Sequence, residues 1–164
     1  ASETDFGPFE LLEARRAIES EACALAAPRV SEDELAELEA LVAEMQSDDI
    51  ARSEDADHRF HVAIARATQN SAMAASVEML WDARARSPQY RLLSEKAHQA
   101  GVTPRVAEHA VILDALRTRD PDTARTAMRK HLSNVLESIL EATEVHELEQ
   151  ARARVAAHRK RYAG

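Results

Sequence analysis

Apolar residues recur every three or four positions along most of this chain, and turn and capping residues interrupt the runs, the pattern of successive amphipathic helices. Gly7-Pro8 precedes a periodic segment from Phe9 to Ala27 that Pro28 closes. Ser31, with Glu34 three residues on, forms a capping-box pattern ahead of Leu35, Leu38, Leu41, Val42 and Met45, which predicts a second helix to about Gln46. A third segment, about Ile50 to Thr68, breaks at Gln69-Asn70-Ser71, and a fourth covers Ala72 to Arg86 with Val77, Leu80 and Trp81 as its buried face. Ser87-Pro88 restarts the chain. Thr103-Pro104 and Asp120-Pro121 each set an N-cap residue before a proline at the first helical position, predicting helices over about 104 to 118 and from 121 onward. The reading is an all-α antiparallel bundle of six or seven helices, with a lead over 1–7, the bundle over 8–140 and a polar helical extension over 141–164.

Composition strengthens this picture and removes several function classes. Alanine takes about one position in five, while the 164 residues hold only 3 glycines and 5 prolines, a balance that favours helix. Neither a G-x-G-x-x-G nor a G-x-x-x-x-G-K loop is present, which argues against nucleotide chemistry. Cys23 is the only cysteine, so an internal disulfide and a multi-thiolate zinc site are excluded and a reducing cytoplasm fits best. The start is acidic and polar, with no signal-peptide pattern, and no apolar run is long enough to cross a membrane. The net charge of −8 argues against this stretch gripping a phosphate backbone; nucleic acid would need another domain.

Candidate chemistry lies where ionisable side chains interrupt apolar stripes, because a buried charge or imidazole is destabilising unless something pairs with it. Arg15 falls on the stripe of Leu11, Ile18, Ala22 and Leu25 and should point inward, either to a salt bridge with Glu19 or to an anionic ligand. Asp57 and His61 share one helical face, so carboxylate and imidazole can converge from one helix. His109 lies between Val106 and Leu113, and His131 between Met128 and Val135, both on faces their helices must bury. Three inward histidines and a carboxylate from three helices match how bundles build metal sites, and the donor types suit zinc, nickel, manganese or iron. A metal with open positions beside an arginine would receive a carboxylate. His58 adjoins the Asp57 face but points elsewhere, His98, His146 and His158 read as surface residues, and Cys23 as a small packing residue.

These residues resemble the FCD effector domain of FadR-type GntR transcription regulators over most of the chain. Leu12 to Glu19, continuing to Leu25-Ala26-Ala27, is similar to the family's first effector helix, with Arg15 in its arginine position. Asp57-His58-Arg59-Phe60-His61 followed by Asn70 resembles the D-x-x-F-H signature and its asparagine. Glu108-His109 with Ile112, Leu116 and Asp120, then His131-Leu132, resembles the next signatures at their usual separation. The resemblance implies a divalent metal, zinc first, on Asp57, His61, His109 and His131. It implies a small carboxylate effector, with Arg15, Arg84, Arg86 and Asn70 as its binding residues. It also implies a homodimer whose operator DNA is held by a winged helix domain that does not precede residue 1, and a sensor rather than an enzyme. Leu80-Trp81-Asp82-Ala83-Arg84 and Ser87-Pro88-Gln89-Tyr90 look like the hexuronate-responsive branch. The competing reading is a metal-dependent hydrolase or isomerase on the same ligands, short of an obvious extra base. A bundle with purely structural histidines is the third.

Overall fold

The structure, a computed structural model, describes residues 6–100 and 106–163. Those residues form seven helices and no strand: α1 (Pro8–Ala26), α2 (Glu32–Glu44), α3 (Ile50–Ala67), α4 (Ser71–Arg86), α5 (Pro88–Gln99), α6 (Val106–Arg117) and α7 (Pro121–Tyr162). The all-α bundle expected from the sequence is the fold observed. The expected cap at Thr103-Pro104 and the first five residues of the expected lead lie outside the described residues. No helix among those described is long and apolar enough to cross a membrane.

Local chemistry fixes the helix starts. Ser31 Oγ accepts from the Glu34 amide at 3.1 Å while the Glu34 carboxylate accepts from the Ser31 amide at 2.9 Å, a complete capping box. Asp49, Asn70, Ser87 and Asp120 cap α3, α4, α5 and α7 through their side chains, and proline occupies the first turn of α1, α5 and α7. Helices α3 and α6 end through non-glycine residues in the left-handed region, Gln69 at φ 57° and Arg119 at φ 64°. In the second case the Arg119 guanidinium bonds the Val30 carbonyl and Glu32, which ties the α6 end to the start of α2.

α1 packs against α3, α4 and α7; α2 closes over α3 and α6, and α5 lies along α7. The largest apolar cluster joins the end of α1 to α2, α3, α6 and the start of α7 through Leu38, Phe60, Ile64, Ile112, Leu116 and Leu132. Separate clusters lie at Leu12, Tyr90, Leu93 and Ile139, and at Val77 and Trp81. The polar positions flagged by the sequence sit between these clusters: Arg15, Glu19, His61, His109 and His131 are all buried. α7 is a single helix of 42 residues that continues through position 141 without a break.

Leu116 is fully buried in the main cluster, whereas Val111, five positions earlier on another face of the same helix, is 58% exposed. Leu116→Ala is expected to lower stability by about 2–5 kcal/mol and Val111→Ala by no more than about 0.5 kcal/mol, read from urea unfolding midpoints at unchanged slope.

Candidate metal centre and adjoining cavity

Three helices deliver the donors. α3 presents Asp57 and His61 one turn apart, α6 presents His109, and α7 presents His131, each on the face its helix buries. One nitrogen from each histidine lies within 4.8 Å of the others, and this group could hold a metal ion. Asp57 Oδ1 stands 2.8 Å from His109 Nε2 and 3.2 Å from His61 Nε2, and the two Nε2 atoms are 3.4 Å apart. The rings pack in contact, with His109 and His131 centroids separated by 4.3 Å.

The outer partners decide which nitrogens face the centre. His61 Nδ1 lies 2.7 Å from Glu19 Oε1, and His131 Nδ1 lies 2.7 Å from Glu108 Oε1, so each Nδ1–H donates to a carboxylate. A neutral imidazole tied in this way turns its Nε2 lone pair inward. Asp57 adds a carboxylate oxygen at the same point. Converging lone pairs repel unless a cation lies among them, and either a proton or a metal ion can play that part. The donor set and its carboxylate backing therefore fit a transition metal held by imidazole nitrogen and carboxylate oxygen.

The electrostatics follow from the same contacts. Burial alone would raise the Glu19 carboxyl, but the Arg15 guanidinium and His61 bring it down to about 2. Burial alone would lower the His61 pKa, yet Glu19 and Asp57 raise it above the ordinary value. Asp57 is likewise held well below the usual carboxylate range by His109 and His61 against its desolvation. His131, dominated by burial and repelled by the other imidazoles, falls to about 4.

A cavity of about 420 Å³ opens onto this centre, lined in part by Asp57, His109, His131, Arg15, Arg84 and Tyr90. Arg15 is 2% exposed and already donates from Nε to Glu19 at 2.7 Å, with its guanidinium 4.1 Å from the Trp81 ring centre. The salt bridge weighed for Arg15 thus exists, and the same side chain also borders the cavity. Arg84 lies 4.8 Å from the centres of both Trp81 and Tyr90, and its buried Nε has no hydrogen-bond partner. An arginine stacked on two aromatic faces with an unpartnered donor is ready for an incoming anion.

Two expected effector residues are placed elsewhere. Asn70 is exposed and accepts from the Met73 amide at 3.0 Å as the cap of α4, and Arg86 is exposed at the end of that helix; neither borders the cavity. A helix cap and a pocket asparagine look the same in sequence, and Arg86 lies two positions from Arg84 and so turns to another face. Among the histidines set aside, His58 stacks on Trp81 with centroids 5.0 Å apart, His98 lies exposed at the cavity rim, and His146 is half-buried, not free on the surface. Two residues gained roles the sequence did not disclose. Glu108 orients His131 and accepts from Asn134 Nδ2 at 2.8 Å, and Tyr90 backs Arg84. The signal for Glu108 was its adjacency to His109; the contact with His131 needs the α6–α7 packing to appear. Cys23 is buried, its thiol pushed up to about 12 by burial and Glu19, which leaves it inert packing.

Fold and site together define a helical domain with a candidate metal centre at the base of a cavity. The family model of the FCD domain matches residues 10–134, and the chain belongs to that family, the effector domains of GntR-type regulators expected from its motifs. It is 38% identical over 130 residues to the Exu regulon transcriptional regulator of Escherichia coli K12, covering 79% of this chain and 50% of that protein. It is 32% identical over 149 residues to the Uxu operon transcriptional regulator of the same organism, covering 88% of this chain and 58% of the relative. The solved structure of E. coli McbR/YncC shares the fold with a TM-score of 0.70 at 21% identity, over 80% of this chain and 63% of that one. The chain spans about half the length of the curated relatives it matches. Those relatives are named as regulators, not as enzymes.

Because the Glu19 carboxyl moves from an ordinary 4.5 to about 2 on folding, its contribution is fully present above about pH 4.5 and is lost as the pH falls toward 2, on the order of 3 kcal/mol. In chelator-treated protein, urea unfolding across that window should show wild-type stability falling more steeply than that of Glu19→Gln. Parallel curves would contradict the assignment.

Proposed function

We propose that this chain is the ligand-sensing part of a GntR/FadR-type transcription regulator that binds a small carboxylate on a protein-held divalent metal. Asp57, His61, His109 and His131 are the metal ligands. Zinc is the first choice, with nickel, manganese or iron compatible with the same donors. The effector is a sugar acid of the hexuronate class: the Exu and Uxu regulators are the relatives that suggest it, and a cavity of about 420 Å³ has room for one sugar ring. The protein works in the cytoplasm as a homodimer, and effector binding controls operator contact by a winged helix domain elsewhere in the full regulator.

The observation that carries this reading is the meeting, in one cavity, of Asp57, His109 and His131 with an Arg84 guanidinium whose buried Nε has no hydrogen-bond partner. When bound, the metal supplies a Lewis-acidic anchor for a carboxylate oxygen. The chain's own residues do the rest: Glu19 and Glu108 hold the imidazoles in register, Arg84 and Arg15 neutralise the acid, and Trp81 and Tyr90 orient the planar Arg84 fork by stacking. A ligand moves the protein between two states only by its differential affinity for them, so contacts to the acid must contribute more in one state than in the other.

Glucuronate is expected to raise the melting temperature of zinc-loaded protein, while glucose, which has a similar ring without the carboxylate, does not. Arg84→Ala should retain zinc and weaken glucuronate binding by about 10- to 100-fold, the loss of one hydrogen bond between charged groups. An equal response to glucose, or full glucuronate binding after chelation, would overturn the reading.

A further inference from the structure

Past the bundle, α7 carries a helical face that no other helix among the described residues covers. The Lys96 Nζ–Glu149 ion pair at 2.6 Å ties α7 to α5, and from Arg152 to Ala163 every residue is exposed. A helix standing alone in water is expected to be polar all round. This one is not: at 100° per residue, Val145, Leu148, Ala151, Val155 and Tyr162 fall within an arc of about 120°, an arc that Glu141, Glu144, Arg152 and Arg159 share. Val145, Leu148, Val155 and Tyr162 are 42%, 51%, 48% and 75% exposed, and a shallow groove runs along the stripe beside Ala151 and Ala156.

Charge divides the same segment in two. Glu141, Glu144, Glu147 and Glu149 precede its midpoint, and Arg152, Arg154, Arg159, Lys160 and Arg161 follow it. Two such helices laid parallel would set acid on acid and base on base; laid antiparallel they set acid on base. We propose that this face is a self-association surface on which the α7 extension of a second copy lies antiparallel. With Leu148 opposite Val155 of the partner subunit, Glu144 comes opposite Arg159 of the partner subunit and Glu147 close to Arg154 of the partner subunit. The two-fold symmetry repeats each of these contacts. The pairing gives a face to the dimer proposed above, yet it uses neither metal nor effector, and it lies beyond the family-model match that ends at residue 134.

The test is sedimentation equilibrium of the full chain at up to about 100 μM, where a micromolar pairing is populated. Wild type should dimerise. Leu148→Glu with Val155→Glu should weaken association at least tenfold while circular dichroism and metal content stay unchanged, because both positions are exposed. Arg154→Glu with Arg159→Glu should also weaken it, and adding Glu144→Arg with Glu147→Arg should restore it, a rescue that parallel pairing does not give. A monomeric wild type, a dimer indifferent to the Leu148 and Val155 changes, or failure of the charge rescue would each overturn the proposal. Unchanged metal content across the series keeps that failure separate from any failure of the sensing reading.

Discussion

The structure depends on one electrostatic constraint: several lone pairs are aimed at the same point inside an otherwise apolar bundle. Glu19 and Glu108 fix the Nδ1 protons of His61 and His131, and Asp57 brings a carboxylate oxygen within 2.8 Å of His109 Nε2. Buried acceptors facing one another require a cation between them. The groups supplying them sit on α1, α3, α6 and α7, so whatever cation enters also joins helices that are remote in sequence.

The apolar clusters explain why this polar centre is tolerated. The main core closes the side formed by α2, α3, α6 and the start of α7, while smaller clusters against α4 and α5 close the other. Between them, each buried polar group at the centre has a charged or hydrogen-bonded partner, and Arg15 and Glu19 form an ion pair only 2–3% exposed. Removing one partner of such a pair is far more damaging than its net contribution suggests, because the other charge is left buried. Arg84 differs. Its buried Nε has no hydrogen-bond partner, its charge is supported by stacking, and it borders the cavity.

Much of this was legible in the sequence because it rests on local period and spacing. The i, i+4 placement of Asp57 and His61 and the apolar flanks of His109 and His131 required inward side chains once helices were assigned. The caps at Ser31, Ser87 and Asp120 marked boundaries within one or two residues. What the sequence could not disclose were contacts made by packing: Glu108 reaches His131 across 23 positions, and Glu19 reaches His61 across 42. Asn70, placed with the effector residues by the signature it follows, serves in the structure as the cap of α4, a role that sequence does not separate from a pocket contact.

The most direct test of the converging-donor centre is X-ray absorption at the metal edge of zinc-loaded protein. The account predicts three imidazole nitrogens at about 2.0–2.1 Å with a carboxylate oxygen in the same shell, and one imidazole fewer in each of His61→Ala, His109→Ala and His131→Ala. A shell with one imidazole or none, or spectra unchanged by those substitutions, would contradict it.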